Sequence, residues 1–240
     1  MSVDSPVVKA ESKWGEILYA IQNDHTAWRV KTMYTKEVDT IAWIDGMSPG
    51  ETFVDVGANM GIYTLYASKR GLKVFAFEPE AQNYALLCRS IMINEFDIAA
   101  YCLALSDEMK ADFLYLSGYL PGGSCHTFGA DLDHRLEKRD RPVGTLRQGC
   151  FALPLDKLQI QADHIKVDCD GLEHKVVAGA AQTISKAKSV LLEINRNLAE
   201  HQALVKYMQD IGFRYDEAQI ESARRKEGTF KDCGNWIFFR

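Results

Sequence analysis

One segment constrains the fold more than any other: residues 53–63, with the sequence FVDVGANMGIY. The run TFVDV around its start is apolar and β-branched, which is typical of a buried strand in a parallel sheet. Gly57 and Gly61 follow, and the pattern predicts a helix from about residue 61 to residue 70. A strand that runs through a glycine-containing loop into a helix begins a βαβ unit, so we expect an α/β protein.

The remainder of the chain repeats this alternation of strands and helices. Further strands are predicted for LKVFAFE, IAAYCLAL, ADFLYL, DHIKVD and SVLLEIN, with helices between most of them. Near the end of the chain, FRYDEAQ and NWIFFR predict two consecutive strands that form a hairpin. We therefore predict a mainly parallel sheet with one antiparallel strand and with helices on both faces.

The chain is predicted to have two parts. Residues 1–50 form an N-terminal helical lead-in, which centres on a helix at about 27–47. The apolar positions of this helix have helical spacing: Tyr34, Val38, Ile41 and Ile44. Residues 51–240 form the main domain, in which residues 118–150 are irregular and rich in glycine and charge. We interpret residues 118–150 as an insertion.

The composition is that of an ordinary globular protein and argues against several partners. The net charge is −5, with 47% hydrophobic and 25% charged residues, so the surface is not built to attract nucleic acid. No apolar run approaches the roughly 20 residues needed to cross a bilayer. The six cysteines form no CxxC pair, and the N-terminal residues do not resemble a secretory signal. We expect a cytoplasmic protein with no membrane span and no nucleic-acid partner.

The loop after the first strand has the features of a ligand-binding loop, because ligands of open parallel sheets lie beyond the carboxyl ends of the strands. Its spacing from Gly57 through Asn59 to Gly61 is G-x-N-x-G, whereas a dinucleotide-binding loop has G-x-G-x-x-G. Asp55 precedes the loop, and an acid there suits a cationic amino-acid ligand better than a pyrophosphate. The alternative is that the loop is only a structural turn.

The end of the second strand supplies another candidate contact. Glu78 ends LKVFAFE, and a carboxylate at this strand end accepts both ribose hydroxyls in other nucleoside-binding α/β folds. Pro79 then occupies the first position of the next helix. The alternative is that Glu78 only caps this helix. Together and in this order, the two strand ends predict a nucleoside cofactor with a cationic amino-acid end, and S-adenosylmethionine fits that description.

Longer stretches of the chain, over about residues 28–215, resemble the FkbM family of methyltransferases. The similar motifs are VDVGANMGIYTLYASKRG, VFAFEPEAQNYALL, ALSDE, LDKL, HIKVDCDGLEHKVVAGA and LLEIN. The resemblance implies a class I methyltransferase Rossmann-like fold with a seven-stranded sheet, and methyl transfer from S-adenosylmethionine, usually to oxygen. It also implies cofactor contacts from Ser106 and Asp107 in ALSDE. Asp170 is a small departure, because the family more commonly has D-V-E-G at this point.

Polar residues at the ends of the fourth and fifth core strands are the first candidates for catalysis. Asp168 and Asp170 follow HIKV, and Glu193 and Asn195 end SVLLEIN. These groups provide a base for an alcohol, ligands for the methionine moiety, or ligands for a hard cation such as magnesium. The structural alternative is a salt bridge with Lys166. Asp168 is our first choice near the reacting centre; we also assign Glu193 to catalysis, and we assign no residue to a metal.

Three further features concern the acceptor side. His126, in GGSCHTFG, is a second candidate base because a histidine deprotonates an alcohol near neutral pH; otherwise it is an ordinary loop histidine. Glu37 and Thr40, one helical turn apart, either contact the amino-acid end of the cofactor or lie on a solvated helix face. The insertion at 118–150 is expected to bind the acceptor, and its arginine-rich run either holds an anionic acceptor or is solvated.

The expected reaction is transfer of a methyl group from S-adenosylmethionine to a hydroxyl oxygen of a sugar, a glycan or another small natural product. Two alternatives stay open, which are methylation of RNA or protein and a nicotinamide-dependent oxidoreduction. The acidic net charge argues against RNA. The missing third glycine of G-x-G-x-x-G argues against a nicotinamide cofactor.

Overall fold

The computed structural model describes residues 6–142 and 146–240. Residues 1–5 of the predicted lead-in and residues 143–145 of the predicted insertion lie outside the described residues. The strands are β1 (Val7–Ser12), β2 (Gly15–Ala20), β3 (Thr52–Val56), β4 (Lys73–Phe77), β5 (Ile98–Tyr101), β6 (Ala104–Leu105), β7 (Lys110–Tyr115), β8 (Thr127–Phe128), β9 (Arg147–Leu153), β10 (His164–Val167), β11 (Ser189–Asn195), β12 (Arg214–Tyr215) and β13 (Cys233–Phe239). The α-helices are α1 (Asp24–Lys36), α2 (Val38–Asp45), α3 (Ile62–Lys69), α4 (Ala81–Asn94), α5 (Glu173–Ala178), α6 (Ala181–Ile184), α7 (Ala199–Asp210) and α8 (Glu217–Ala223).

A seven-stranded sheet forms the centre of the molecule, with the strands in the order β12, β13, β11, β10, β3, β4, β5. The neighbouring strands from β11 to β5 are parallel, and β13 runs antiparallel to both β11 and β12. The predicted mainly parallel sheet with one antiparallel strand is confirmed. The main sheet has the expected seven strands, but the total differs: the described residues contain thirteen strands, and the other six form two smaller sheets that were not predicted.

The central strands are buried because helices cover both faces of the sheet. All seven residues of β11 and all four of β10 are buried. Side chains alternate along β3: Val54 and Val56 pack in a core with α5, α6 and α7, and Phe53 packs in a core with α1, α3 and α4. Val56 lies opposite Val167 in the parallel pair β3–β10, so the residues that follow these two strands meet at one edge of the sheet.

The lead-in is less helical than predicted. It begins with an antiparallel hairpin, β1 and β2, that the sequence analysis missed. An isolated hairpin is only marginally stable, and this one is held on α4, where Ser90 Oγ and Asn94 Oδ1 accept hydrogen bonds from the backbone of β2. The helix predicted at 27–47 is two helices, α1 and α2. They are separated at Glu37, whose φ of −135° and ψ of 61° are not helical.

The lead-in also shares a hydrophobic core with the sheet. Ile17 of β2 and Met33 of α1 pack in the same cluster as Phe53 of β3 and Leu65 of α3. The boundary at residue 50 stays a prediction.

The predicted insertion is less irregular than expected. It contains β8 and the first part of β9, which join β6 and β7 in a four-stranded sheet with the order β6, β9, β7, β8. The C-terminal hairpin is also modified. Only the Arg214–Tyr215 part of FRYDEAQ forms a strand, because Asp216 accepts a hydrogen bond from the Ala218 backbone N–H and caps helix α8.

Candidate functional site

A cavity of about 490 Å³ lies at the carboxyl ends of β3, β4, β10 and β11. This is where ligands bind in open parallel sheets. Seven of the predicted site residues line it: Gly57, Asn59, Glu78, Pro79, His126, Asp168 and Glu193. Four do not: Asp55, Gly61, Ser106 and Asp107. The structure therefore brings together most of the residues predicted from the sequence. Asp55 and Gly61 lie behind the cavity wall, and Ser106 and Asp107 lie away from the cavity.

Glu78 joins the two strand ends that were predicted to hold the cofactor. Its buried carboxylate accepts hydrogen bonds from the backbone N–H groups of Asn59, at 2.7 Å, and Glu80, at 2.9 Å. Burial raises the pKa of Glu78 to about 7; the two backbone bonds oppose this rise, and the charges of Glu80 and Asp170 add to it. A carboxylate has about four acceptor positions, so two remain for ligand hydroxyls. These residues fit a ribose.

The two glycines of the loop are required by packing within the protein. Gly57 has a φ of 77°, and a Cβ atom there would lie 2.0 Å from the backbone oxygen of Asp168. Gly61 has a φ of 91°, and a Cβ atom there would lie 2.5 Å from Leu87 and 2.6 Å from Leu65. Both glycines therefore make room for neighbouring protein groups, and of the two only Gly57 also lines the cavity.

Asp55 lies behind the loop and reaches the cavity through Lys166. Asp55 Oδ2 accepts a hydrogen bond from Thr64 Oγ1 at 2.6 Å. Asp55 Oδ1 lies 3.4 Å from Lys166 Nζ but has no hydrogen bond within the described residues. Lys166 Nζ lies 3.2 Å from Asp168 Oδ2. The salt bridge that is the structural alternative to a catalytic role for these acids is therefore present. Burial lowers the pKa of Lys166, but the charges of Asp168 and Asp55 outweigh burial and hold the pKa above its ordinary value.

Ser106 and Asp107 contact each other and the end of α5, away from the cavity. Ser106 Oγ donates a hydrogen bond to Asp107 Oδ1 at 3.0 Å. The backbone oxygen of Ser106 lies so close to Gly179 that a Cβ atom there would be 2.0 Å from it. The preceding residues 103–105 line the cavity instead. The ALSDE segment therefore contributes apolar wall to the cavity.

Three carboxylates converge beside the ends of β10 and β11. One oxygen atom from each of Asp168, Glu173 and Glu193 lies within 4.8 Å of the others. Burial opposes the ionisation of Asp168, but the charges of Lys166 and Arg225 outweigh it and lower the pKa of Asp168. Burial and the charge of Asp168 raise the pKa of Glu193 well above its ordinary value, although Arg225 Nη1 lies 2.9 Å from Glu193 Oε1. Two neighbouring acids whose pKa values move apart provide one permanent charge and one proton acceptor.

Glu173 and His201 do not line the cavity, but Glu173 bonds to Cys169, which does; neither residue was predicted from the sequence. Glu173 is fully buried and accepts hydrogen bonds from the backbone N–H groups of Cys169, at 2.7 Å, and Gly171, at 3.0 Å. Glu173 Oε2 also lies 3.0 Å from Nε2 of buried His201, and His201 Nδ1 accepts a hydrogen bond from the Asn195 backbone N–H. These bonds fix the turn after β10 relative to the end of β11, and they use acceptor positions on both oxygens of Glu173.

His126 lines the cavity, but its hydrogen bonding does not suit a base. Its Nδ1 accepts a hydrogen bond from the Ser117 backbone N–H at 3.2 Å. Burial lowers the pKa of His126 to about 4, so the ring is neutral near pH 7. A neutral imidazole that accepts at Nδ1 carries its proton on Nε2. Nε2 has no hydrogen-bond partner among the described residues, so the free ring atom is a donor rather than a proton acceptor.

The start of the insertion is fastened to the cofactor loop. The backbone oxygen of Gly123 accepts hydrogen bonds from Asn59 Nδ2, at 2.7 Å, and from Asn83 Nδ2, at 3.0 Å. Asp170 Oδ2 accepts a hydrogen bond from the Cys125 backbone N–H at 2.6 Å. Burial and the charge of Asp168 raise the pKa of Asp170 to about 6. Gly123 and Ser124 thus form part of the cavity wall.

Helix α1 forms another wall, and Glu37 directly follows its last residue. Glu37 lines the cavity and accepts a hydrogen bond from Asn235 Nδ2 at 2.9 Å. Thr40 Oγ1 accepts from the same Asn235 group at 3.1 Å and is buried, so it does not reach the cavity wall. Of the two residues considered for the amino-acid end of the cofactor, only Glu37 is placed to contact a ligand.

The arginine-rich run of the insertion is engaged within the insertion. Arg139 and Arg141 both pair with Asp131, at 2.9 Å and 2.5 Å. Arg135 pairs with Asp133 and with the exposed Glu137, each at 3.1 Å. None of these arginines lines the cavity among the described residues. Their contacts are structural, and they do not support the hypothesis that the run holds an anionic acceptor.

The strand order and the cavity at the sheet edge are those of a class I methyltransferase, and solved structures agree. Magnesium protoporphyrin IX methyltransferase from Synechocystis PCC 6803, solved with bound S-adenosylmethionine, has a TM-score of 0.50 and 12% identity over 92% of this chain and 86% of that chain. A putative rRNA methylase from Clostridium thermocellum has a TM-score of 0.51 and 6% identity over 84% of this chain and 93% of that chain. At these identities the likeness establishes the fold.

The family follows from the sequence match. The profile of the methyltransferase FkbM domain matches residues 55–215, which is more than half of the chain. The chain belongs to the FkbM family of methyltransferases, and S-adenosylmethionine is its methyl donor. A comparison with curated proteins found no sequence match. Within residues 6–142 and 146–240, no helix combines the length and the apolar character needed to cross a membrane.

Proposed function

We propose that the protein transfers the methyl group of S-adenosylmethionine to a hydroxyl oxygen of a sugar, a glycan or another small natural product. The observation that carries this proposal is the buried carboxylate of Glu193, which lines the donor cavity beside Asp168. An alcohol loses its proton as its oxygen attacks, and a carboxylate with a raised pKa is a better base for that proton than an ordinary carboxylate. Glu193 takes this role in place of His126.

The other residues of the cavity bind the donor and orient it for methyl transfer. The donor, when bound, supplies a methyl group on a sulfonium that is already activated for displacement, so alignment is the main task of the protein. Glu78 accepts the ribose hydroxyls. Asp168 keeps its negative charge because Lys166 lies beside it. That fixed charge lies next to Glu193 and favours the proton transfer to it.

The charge of the cavity favours a small acceptor over RNA. Among the described residues, five carboxylates line the cavity: Glu37, Glu78, Asp168, Asp170 and Glu193. Four cations accompany them: Arg29, Lys36, Lys166 and Arg225. A polyanionic strand gains little from such a surface. Membership of a methyltransferase family removes the oxidoreductase alternative. We also propose a cytoplasmic location, because the six cysteines are all unpaired.

The acceptor class is tested with methyl-labelled S-adenosylmethionine and a cell extract separated into small molecules, glycans, RNA and protein. We expect enzyme-dependent label in the small-molecule or glycan fraction. The Glu193→Gln variant serves as the blank, because it should bind the donor without transferring the methyl group. Label that enters RNA or protein with the wild-type enzyme but not with this variant would overturn the proposed acceptor.

The Glu78→Gln variant is expected to bind S-adenosylhomocysteine about tenfold to a hundredfold more weakly, because a charged acceptor of two hydrogen bonds is lost. In the wild type, the ionised form of Glu78 binds the hydroxyls, so affinity should rise as the pH increases through about 7. Isothermal titration calorimetry at several pH values measures both effects. The exposed Glu108→Gln variant is the control and should keep the wild-type curve. An unchanged affinity for Glu78→Gln would remove Glu78 from the ribose contact.

Treatment with EDTA is expected to leave turnover unchanged. Of the three converging carboxylates, Asp168 lies 3.2 Å from Lys166 Nζ and Glu193 lies 2.9 Å from Arg225 Nη1. Because cationic side chains of the protein already lie beside these two acids, we expect no cation to bind there. Turnover is measured before and after chelation. A loss that added magnesium restores would contradict this interpretation and support the metal alternative.

A further inference from the structure

Three of the four cations that line the cavity in the described part of the chain have carboxylate partners. Lys36 pairs with Glu37, Lys166 with Asp55 and Asp168, and Arg225 with Glu193. The fourth, Arg29, pairs with no carboxylate within the described residues, although it lines the same cavity. A guanidinium in a ligand cavity without a protein counter-ion is placed to bind an anionic group of the ligand.

Arg29 is held in position by the same loop that covers the cofactor site. Its Nε donates a hydrogen bond to the Gly122 backbone oxygen at 2.6 Å. The Gly122 backbone N–H donates a hydrogen bond to Asn83 Oδ1 at 2.7 Å. The Gly123 backbone oxygen accepts a hydrogen bond from Asn59 Nδ2, also at 2.7 Å. Because Nε is used in this way, the edge formed by Nη1 and Nη2 remains for a ligand, and neither atom has a hydrogen bond in the described residues. That edge suits bidentate binding of a carboxylate.

The charge of Arg29 acts on both sides of the cavity. Burial raises the pKa of Tyr63 on α3, and the positive charge of Arg29 opposes this rise. Burial lowers the pKa of His126 in the insertion, and Arg29 adds to that fall. Arg29, Tyr63 and His126 all line the cavity, and the bond to Gly122 places Arg29 against the insertion.

We propose that Arg29 is the counter-ion of the α-carboxylate of S-adenosylmethionine. This carboxylate is the single anionic group of the donor, whose ammonium and sulfonium are cationic and are matched by the acids of the cavity. The inference rests on the donor half of the proposed function. A guanidinium would also bind the carboxylate of an acidic acceptor. The experiment distinguishes an anionic group of the donor from one of the acceptor.

The test compares two donors that differ only in this group: S-adenosylmethionine and decarboxylated S-adenosylmethionine, which keeps the ammonium and the sulfonium. Dissociation constants are measured by isothermal titration calorimetry for the wild type and for Arg29→Gln. In the wild type, loss of the carboxylate should weaken binding about tenfold to a hundredfold, as for other hydrogen bonds to charged groups. In Arg29→Gln the two donors should bind with nearly equal affinity.

Lys36→Gln is the matched control, because Lys36 lines the same cavity from the same helix but is paired with Glu37. It should keep the wild-type ratio of the two dissociation constants. If Arg29→Gln weakens the binding of both donors equally, the ratio of their dissociation constants is unchanged. Arg29 then only holds Gly122 in place, and the proposal is overturned. An unchanged ratio with a raised KM for the acceptor assigns Arg29 to an acidic acceptor and also overturns it. None of these outcomes bears on whether the methyl group reaches oxygen, which product analysis tests separately.

Discussion

Replacing Gly57 with alanine is expected to lower the free energy of unfolding by more than about 4 kcal/mol, in the range of the most damaging single substitutions. A Cβ atom at this position would lie 2.0 Å from the backbone oxygen of Asp168, and backbone atoms cannot move aside as a flexible side chain does. The positive φ of 77° adds about 1–2 kcal/mol for any residue with a Cβ. Urea unfolding measures the change, and donor binding should be lost with it.

Gly50→Ala is the matched control for this substitution. Gly50 also has a positive φ, 85°, but a Cβ atom there would meet nothing within 4 Å. The Gly50→Ala variant should therefore lose only the free energy that a positive φ costs a residue with a Cβ, about 1–2 kcal/mol. The difference between the two variants isolates the close approach of the β3 and β10 ends. Equal losses for both variants would show that the approach of Gly57 to Asp168 is not needed for the fold.

Replacing Glu193 with glutamine is expected to lower kcat by about 10²-fold to 10⁴-fold, the usual range for loss of a general base. Glutamine keeps the size of the side chain and an oxygen for Arg225, so the dissociation constant of S-adenosylhomocysteine should change little. The exposed Glu217→Gln on α8 is the control and should keep full activity. Steady-state turnover and donor titration on the same preparations measure the two effects. A fully active Glu193→Gln would exclude Glu193 as the base.

The pH dependence of turnover gives an independent check on the same residue. Burial and the charge of Asp168 raise the pKa of Glu193, so this acid is protonated and inactive as a base on the acidic side of that pKa. The rate should therefore rise with pH as Glu193 ionises. Asp168→Asn removes the neighbouring negative charge, which should lower the pKa of Glu193 and move the rising limb to lower pH. If the rising limb of the pH–rate profile stays in place in Asp168→Asn, the charge of Asp168 does not affect the pKa of the base.

The strands and the cofactor loop were predictable because their signals are local. Runs such as TFVDV and SVLLEIN are apolar without alternation, and this pattern is typical of strands that are buried on both faces. The hairpin β1–β2 was missed because it depends on contacts with Ser90 and Asn94, more than sixty residues away. Helix α1 was predicted to run on past Glu37, since helical spacing of apolar residues does not reveal a break in the backbone.

The site was predictable where a residue ends a core strand. Asp168, Glu193 and Glu78 each lie at or near the carboxyl end of a core strand, and this position placed them at the same edge of the sheet. The pairing of Glu173 with His201 and the position of Arg29 were not predictable, because each depends on a partner distant in sequence; Gly122 is 93 residues from Arg29. The tautomer of His126 also depends on a tertiary contact, with Ser117, so its residue type alone does not reveal which ring nitrogen carries the proton.

The atom that receives the methyl group tests the central proposal most directly. The product made from donor with a ¹³C-labelled methyl group is isolated from the small-molecule or glycan fraction, and its carbon chemical shift is measured by NMR. We expect a methyl ether on a former hydroxyl oxygen, formed by the wild type and nearly absent with Glu193→Gln. A labelled methyl on nitrogen or carbon, formed equally well by the Glu193→Gln variant, would contradict it.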